Sequence, residues 1–189
     1  AGTGAFANAM KNKGWKVTAL EPDETTRVRA KDNYKLDLLP IGALYNLPEN
    51  SFDVITLWHV LEHVHALNGY FKAIHKLLKP NGRLIIAVPN YTSFDARFYK
   101  SFWAAYDVPR HIYHFDPTTI TSLAARYGFR LTKQRGQVFD SFYIALLSHQ
   151  YKTGSKKILM SFLLGLWSNI LAWTKTGNYS SNLYIFEHV

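Results

Sequence analysis

Two glycines and an acid near the start of the chain have the spacing of a nucleotide-binding site. The chain opens Ala1-Gly2-Thr3-Gly4, continues through an apolar, helix-like segment to Gly14 and a strand-like run over 15–20, and reaches Glu21-Pro22. Glycines let the backbone approach a ligand closely, and a carboxylate at the end of the next strand can accept hydrogen bonds from ribose hydroxyls. Two glycines are a weak signal, and the alternative is a flexible segment at the start of the chain. The residues downstream must decide between a nucleotide site and a flexible segment.

Two histidines follow a near-continuous apolar run over 52–57. Trp58 and His59 come directly after that run, and His63 lies one helical turn beyond His59. Ligands of open α/β sheets lie at the carboxyl ends of strands, so Trp58 and His59 are expected to face a ligand. Two histidines at this spacing can bind a metal, but no third ligand is evident. We therefore predict no metal, and a packing or capping role is the alternative for His63.

A second set of polar side chains lies on the aromatic, loop-rich stretch from Trp103 to His114. It contains Asp107, Arg110, His111 and His114, and long loops after strands are where functional residues concentrate. His111 could accept the proton of an acceptor hydroxyl. The alternative is that Arg110, His111 and His114 only fix the loop to the sheet.

Alternating helices and strands must position these residues. Apolar residues at helical spacing, with capping and stop signals, predict helices over 5–13, 23–31, 67–78, 116–127 and 156–175. Short apolar runs predict strands over 15–20, 34–39, 52–57, 84–88, 129–139 and 182–187. This alternation favours a mostly parallel sheet with helices on both faces.

Composition narrows the function classes. The 189 residues are 48% hydrophobic and 19% charged, which is typical of one globular domain. There is no cysteine, which excludes thiolate zinc sites, disulfides and cysteine nucleophiles. The net charge of +9 could suit nucleic acid, an anionic membrane or an anionic ligand, but the basic residues are scattered apart from Lys152 with Lys156-Lys157. No RNA-binding motif is present, so we expect no nucleic-acid partner.

Six motifs in a fixed order carry a resemblance that covers nearly the whole chain. They are Ala1-Gly2-Thr3-Gly4, Val17 to Pro22, Leu47-Pro48 with Ser51 to Ile55, His59 to Val64, Leu78 to Leu84, and Pro109 to Phe115. In this order they resemble class I S-adenosylmethionine (SAM)-dependent methyltransferases, and in particular the ubiquinone/menaquinone-type subgroup. No single motif is specific, but the ordered set is.

The resemblance implies a fold. It is a Rossmann-like three-layer α/β sandwich, with a mostly parallel sheet whose last strand is antiparallel. Residues 1–189 would form a single domain with a helical, lid-like insertion at about 150–177. The residues correspond to strands 2 to 7 of the family's seven, and the strand that runs into the glycine turn is absent. We therefore expect the chain to be truncated at its amino-terminal end.

The resemblance also implies a cofactor, SAM, and residues that bind it. Gly2 and Gly4 would pack against its methionine and ribose parts, Glu21 would bind the ribose hydroxyls, and Pro22 would line the adenine. Many relatives have an Asp near position 43 that accepts from the adenine amine. Here Ala43 and Leu44 occupy that place, so adenine recognition would fall to their backbone groups; Trp58 and His59 would face the methionine end.

The activity implied is transfer of a methyl group from SAM to a small-molecule acceptor, with a quinone-type or other lipophilic compound as the expected class. His111 is the candidate base, and the acceptor side would include His63, Trp103, Arg110 and His114. A SAM-binding protein without catalysis is one alternative. A nucleic-acid methyltransferase is another, although Trp58 to Leu61 replaces the tetrapeptide typical of base amino-methylation.

The helix over 156–175 allows three interpretations. It could be a lid over an apolar substrate, an interfacial helix with Lys152, Lys156 and Lys157 at anionic headgroups, or an amphipathic helix packed on the sheet. The third is favoured. The apolar run is too short for a membrane span, and the polar Ser161, Ser168 and Asn169 interrupt it. We expect the protein to be cytoplasmic, and the alternative is a protein in peripheral contact with a membrane.

Overall fold

A computed structural model describes residues 1–189, except for the side chain of Thr176. The chain divides into two compact units, Ala1–Glu49 and Asn50–Val189. Each unit is built around a different part of the predicted pattern, and each is described by itself.

The first unit contains two helices and very little strand. Helix α1 spans Ala5–Asn12 and α2 spans Glu24–Tyr34, where the Asp23 side chain caps the helix by accepting from the Thr26 N–H at 2.7 Å. A 3-10 helix follows over Ile41–Asn46.

The predictions of full strands over 15–20 and 34–39 are wrong. Only an isolated parallel bridge, Leu20 with Leu39, forms between these segments. Helix α2 takes up the start of the second segment, and prolines 22 and 40 end the pairing because proline has no N–H to donate to a ladder.

The second unit is organised around a four-stranded sheet. Its strands are β1 (Phe52–Trp58), β2 (Leu78–Pro89), β3 (Phe129–Gly136) and β4 (Ser181–His188), in the order β1-β2-β4-β3. β1 is parallel to β2, and β4 is antiparallel to both β2 and β3. Three strands therefore share one direction and the last opposes them, which confirms the predicted fold class.

Helices cover this sheet and supply its core. They are α3 (Leu67–Leu77), α4 (Phe94–Tyr99), α5 (Pro117–Ala125), α6 (Asp140–Thr153) and α7 (Ile158–Leu171), the last followed by a π-helical turn over Ala172–Thr176. Phe71 and Ile74 of α3 are fully buried, as are Leu84 and Ile86 of β2. The predicted start of α5 is confirmed: Asp116 caps the helix by accepting from the Thr119 N–H, and Thr119 Oγ1 accepts from the Asp116 N–H.

A second cluster of buried residues holds the α6–α7 hairpin. It joins Tyr99, Trp103, Ile144 and Ala145. The sequence did not predict α6, because its apolar residues are spread around the helix and give no clear stripe. The predicted helix over 156–175 corresponds to α7 with the π-helical turn.

Candidate functional site

The Glu21 carboxylate in the first unit is held by backbone donors. Oε2 accepts from the Gly2 N–H at 2.7 Å and from the Ala1 nitrogen at 2.8 Å, and Oε1 accepts from the Asp23 N–H at 3.2 Å. The Gly2 and Asp23 N–H groups donate to the two carboxylate oxygens and favour the ionised form of Glu21. The Glu21 carboxylate therefore lies directly beside the glycine turn.

The two glycines of the turn differ in their surroundings. Both have positive φ, 55° at Gly2 and 84° at Gly4. A Cβ at Gly4 would lie 3.1 Å from the Cβ of Ala30, so Gly4 is required where the turn packs on α2. No atom lies within 4 Å of a Cβ built on Gly2. The space beside Gly2 is open, which is the property that a close-approaching ligand needs.

The remaining cofactor candidates of the first unit are mostly engaged by their own segment. Arg27 donates from Nη1 to the Pro22 carbonyl at 2.7 Å and to the Glu21 carbonyl at 2.9 Å, so it clamps the turn between them. The Ala43 N–H donates to the Pro40 carbonyl, and Leu44 is buried. The Ala43 amide is thus already satisfied by the 3-10 helix.

In the second unit, His59 stands between two carboxylates at the end of β1. Nδ1 lies 3.3 Å from Glu62 Oε1 and Nε2 lies 3.3 Å from Asp140 Oδ2. Partial burial alone would lower the pKa of His59, but these two carboxylates raise it to about 9. His59 is therefore an imidazolium at neutral pH. Its φ of 50° is rare for a residue with a side chain, and such strain is common at functional sites.

Glu62 is the most buried acid of this region, with 1% of its surface exposed. Oε1 faces His59, and the Glu62 carbonyl accepts from the N–H groups of Ile112 and Tyr113. Oε2 is buried with no hydrogen-bond partner among the residues that the structure describes. A buried carboxylate oxygen is costly to leave unpaired, so this atom marks a place where a further donor or cation fits.

Two histidines lie beside Glu62. The rings of His63 and His111 meet edge to face with centroids 4.6 Å apart. His63 Nδ1 donates to the Arg110 carbonyl at 3.0 Å and His111 Nδ1 donates to the Ala105 carbonyl at 2.8 Å. Because a carbonyl can only accept, each neutral ring keeps its lone pair on Nε2.

One ligand atom from each of Glu62, His63 and His111 lies within 4.8 Å of the others, so the three could hold a metal ion. Backbone carbonyls that fix both imidazoles are the usual support of histidine ligands. The sequence does not show this group, because His111 lies on a loop far along the chain from Glu62 and His63. The one sequence signal for this group was the prediction that His111 is a functional residue on a long loop.

The other acceptor-side residues separate into two kinds. Arg110 is paired with Asp107 at 2.7 Å on the surface, and His114 Nε2 bonds to the Tyr106 carbonyl at 3.0 Å. These contacts fit the alternative in which both residues fix the loop. Trp103 is not brought to the histidines: it is 2% exposed and donates its indole N–H to Asp95 at 2.7 Å, so it lies in the core.

A surface depression of about 470 Å³ lies along the segment after His63. It is lined by residues 65–69 together with Tyr113 and Leu123. This volume is within the range of small-molecule sites. Trp58, at the end of β1, is 37% exposed.

The sequence of residues 1–134 matches the family model described as a methyltransferase domain. The chain belongs to this methyltransferase family. The family predicted from the six motifs is thereby confirmed, and the match extends from the glycine turn through most of β3.

Known methyltransferases agree with this assignment. A ubiquinone biosynthesis O-methyltransferase of Rhodopseudomonas palustris (strain HaA2) is 25% identical over 150 residues, which are 74% of this chain and 59% of that protein. The chain thus spans less than two thirds of the length of this relative.

Solved structures support the methyltransferase fold. A putative sarcosine dimethylglycine methyltransferase from Galdieria sulphuraria has a TM-score of 0.66 at 14% identity, covering 100% of this chain and 76% of that one. A Haemonchus contortus phosphoethanolamine N-methyltransferase 2 in complex with S-adenosyl-L-methionine has a TM-score of 0.61 at 18% identity, covering 98% and 46%.

Proposed function

We propose that the protein is a SAM-dependent methyltransferase acting on a small-molecule acceptor, with a quinone-type or other lipophilic compound as the acceptor class. The observation that carries the proposal is the Glu21 carboxylate, which accepts from the Gly2 N–H beside the open backbone of Gly2, in a chain of the methyltransferase family. Its cofactor is S-adenosyl-L-methionine. Glu21 binds the ribose hydroxyls, and Gly2 and Gly4 form the turn against which the cofactor packs.

Methyl transfer from a sulfonium is an in-line displacement, so positioning supplies most of the catalysis. A base is required when the acceptor is a hydroxyl. His111 takes this proton on Nε2, because Nδ1 is committed to the Ala105 carbonyl. Asp107 Oδ2, 3.8 Å from Nε2, stabilises the imidazolium that forms. The acceptor atom in this mechanism is therefore oxygen, in line with the O-methyltransferase relative.

The cluster also favours a second version of the same reaction. Glu62 Oε2 is buried with no hydrogen-bond partner among the described residues, and one ligand atom from each of Glu62, His63 and His111 lies within 4.8 Å of the others. A divalent cation held by Glu62, His63 and His111 would lower the pKa of a bound acceptor hydroxyl and make a separate base unnecessary. The two versions share residues but differ in their dependence on added metal.

The test is methyl transfer from radiolabelled SAM to a panel of catechols and hydroxylated quinone precursors, using the full-length protein. His111→Gln is expected to lower kcat by about 10²- to 10⁴-fold, the usual worth of a general base. His75→Gln, on α3 outside the cluster, is the matched control and should leave kcat unchanged. Loss of activity with a chelator and its recovery with a divalent cation would select the metal version.

Two results would contradict the proposal. If His111→Gln leaves turnover unchanged, with or without chelator, then Glu62, His63 and His111 take no part in the reaction. Binding of SAM without turnover across the panel would instead favour a non-catalytic SAM-binding protein.

A further inference from the structure

Helix α7 is built with its small residues inside and its large apolar residues outside. Ser161, Gly165, Ser168 and Ala172 follow one another along one face and are buried. A Cβ added to Gly165 would lie 3.0 Å from the Ser141 carbonyl, so the helix packs closely on α6. This is the reverse of a soluble amphipathic helix, whose large apolar side chains face the core.

The outward face of α7 is apolar along its whole length. The exposed fraction reaches 72% at Ile158 and Leu159 and 80% at Trp173, and this face also carries Met160, Phe162, Leu163, Leu166, Trp167 and Ile170, each more than a third exposed. Among the described residues, one helical stretch, Ile158–Lys175, is long and apolar enough to cross a membrane by length and composition, and only 22% of it is buried. Contiguous exposed apolar surface of this kind marks an interaction site.

The charged residues of the segment that carries this face have one sign. Residues 141–186 include Lys152, Lys156, Lys157 and Lys175 but no aspartate or glutamate. Three of these lysines precede α7 and the fourth follows it. The apolar face is therefore bracketed by cations at both ends, which complements an anionic surface.

We propose that the outward face of α7 docks the protein onto an anionic lipid bilayer, with the helix lying in the interface. The exposed Ile, Leu, Phe and Trp side chains enter the acyl boundary, and the flanking lysines contact acidic headgroups. The helix stays attached to the fold, because Ser168 Oγ donates to the buried Asp95 carboxylate at 2.9 Å. That bond and the close contact at Gly165 hold the inner face, so α7 lies on the membrane and does not cross it.

A second copy of the chain fits this face less well. A symmetric contact would bring the same segment against itself, and segment 141–186 offers no acid to pair with either set of lysines. A bilayer of acidic lipid supplies both the apolar phase and the opposite charge.

The experiment is flotation of the full-length protein with vesicles of phosphatidylcholine alone or with 30% phosphatidylglycerol. Binding is expected only with the anionic vesicles. Lys156→Glu with Lys157→Glu should lower the partition coefficient by at least about 25-fold, because each lysine lost removes about fivefold and each glutamate gained repels the acidic headgroups. Lys72→Glu with Lys133→Glu, on the exposed surfaces of α3 and β3, changes the net charge equally and should retain most of the binding.

A second variant pair tests the apolar contact itself. Leu159→Ser with Trp173→Ser alters two highly exposed side chains, so the double variant is expected to fold as the wild type does. The double variant should no longer float with the anionic vesicles. Equal recovery of the wild type in the soluble fraction with both vesicle types would overturn the proposal. The wild type could instead be a dimer in light scattering and fail to bind vesicles. If Leu159→Ser with Trp173→Ser dissociates that dimer, the face is assigned to a second copy of the chain. SAM binding, measured on the same samples, separates this outcome from a failure of the proposed function.

Discussion

The charge of His59 depends on the carboxylates of Glu62 and Asp140, and removing one of them gives the most detailed test of the site. The change is Asp140→Asn, which keeps the shape of the side chain but removes the charge 3.3 Å from His59 Nε2. In the wild type the two acids outweigh the burial of the ring and raise the pKa of His59 to about 9. In the variant we expect this pKa to fall toward its ordinary value of 6.5.

The magnitude follows from the displacement of the pKa. A change from 6.5 to about 9 corresponds to at most roughly 3 kcal/mol at 1.36 kcal/mol per pH unit. Solvent reaches 42% of the His59 side chain, so screening reduces the contribution to stability to about 1 kcal/mol. Because the pKa is raised in the folded state, this stabilisation is complete below pH 6.5 and is lost as the pH rises through about 9.

Two measurements check the prediction. Two-dimensional NMR of the histidine rings should show His59 titrating near pH 9 in the wild type and at least one pH unit lower in Asp140→Asn. Urea unfolding at pH 6 and pH 10 should show that the variant loses about 1 kcal/mol less than the wild type over this range. Asp32→Asn, an exposed acid of α2, is the control and should behave as the wild type. An unchanged His59 titration in Asp140→Asn would refute the reasoning.

Three further substitutions test contacts inside one unit or the other, each by the free energy of unfolding in urea. Asp95→Ala should cost roughly 3 to 5 kcal/mol, because the buried carboxylate accepts from Trp103, Ser168 and Ser180 and its loss leaves those donors unpaired; a loss under 1 kcal/mol would contradict this. Gly4→Ala should cost about 1 to 2 kcal/mol through its positive φ, and more than Gly14→Ala, whose φ is similar but whose added Cβ meets nothing. Asp116→Ala should cost about 1 kcal/mol by removing the cap of α5, and Asp116→Asn should recover most of it.

Local chemistry was predictable from the sequence. The start of α5 followed from Asp116-Pro117. The sequence also placed the glycine turn and Glu21 in one site, and the structure brings Gly2 and Glu21 together through a hydrogen bond. Both depend on residues that carry their own structural preference. The direction of the last strand required the family resemblance, since periodicity gives no strand direction.

Features that depend on distant residues were not predictable. Two full strands were predicted where only the bridge between Leu20 and Leu39 forms. An apolar run does not show how many of its residues pair with a neighbouring strand. Asp140 was not singled out, although it sets the charge of His59, because the two are joined only by the fold. The burial of Trp103 was missed for the same reason. The sequence alone does not distinguish a loop aromatic residue that packs in the core from one that contacts a ligand.

The membership of the chain in the methyltransferase family leads to one central claim, which is that Glu21 and its glycine turn bind SAM. Isothermal titration of the full-length protein with SAM tests it most directly. Micromolar-range binding is expected, and Glu21→Ala should weaken it by about 30-fold, the loss of ~2 kcal/mol from a charged hydrogen-bond pair. Glu24→Ala, the neighbouring acid at the start of α2, should bind as the wild type does. No binding by the wild type, or equal affinity in Glu21→Ala, would contradict the claim.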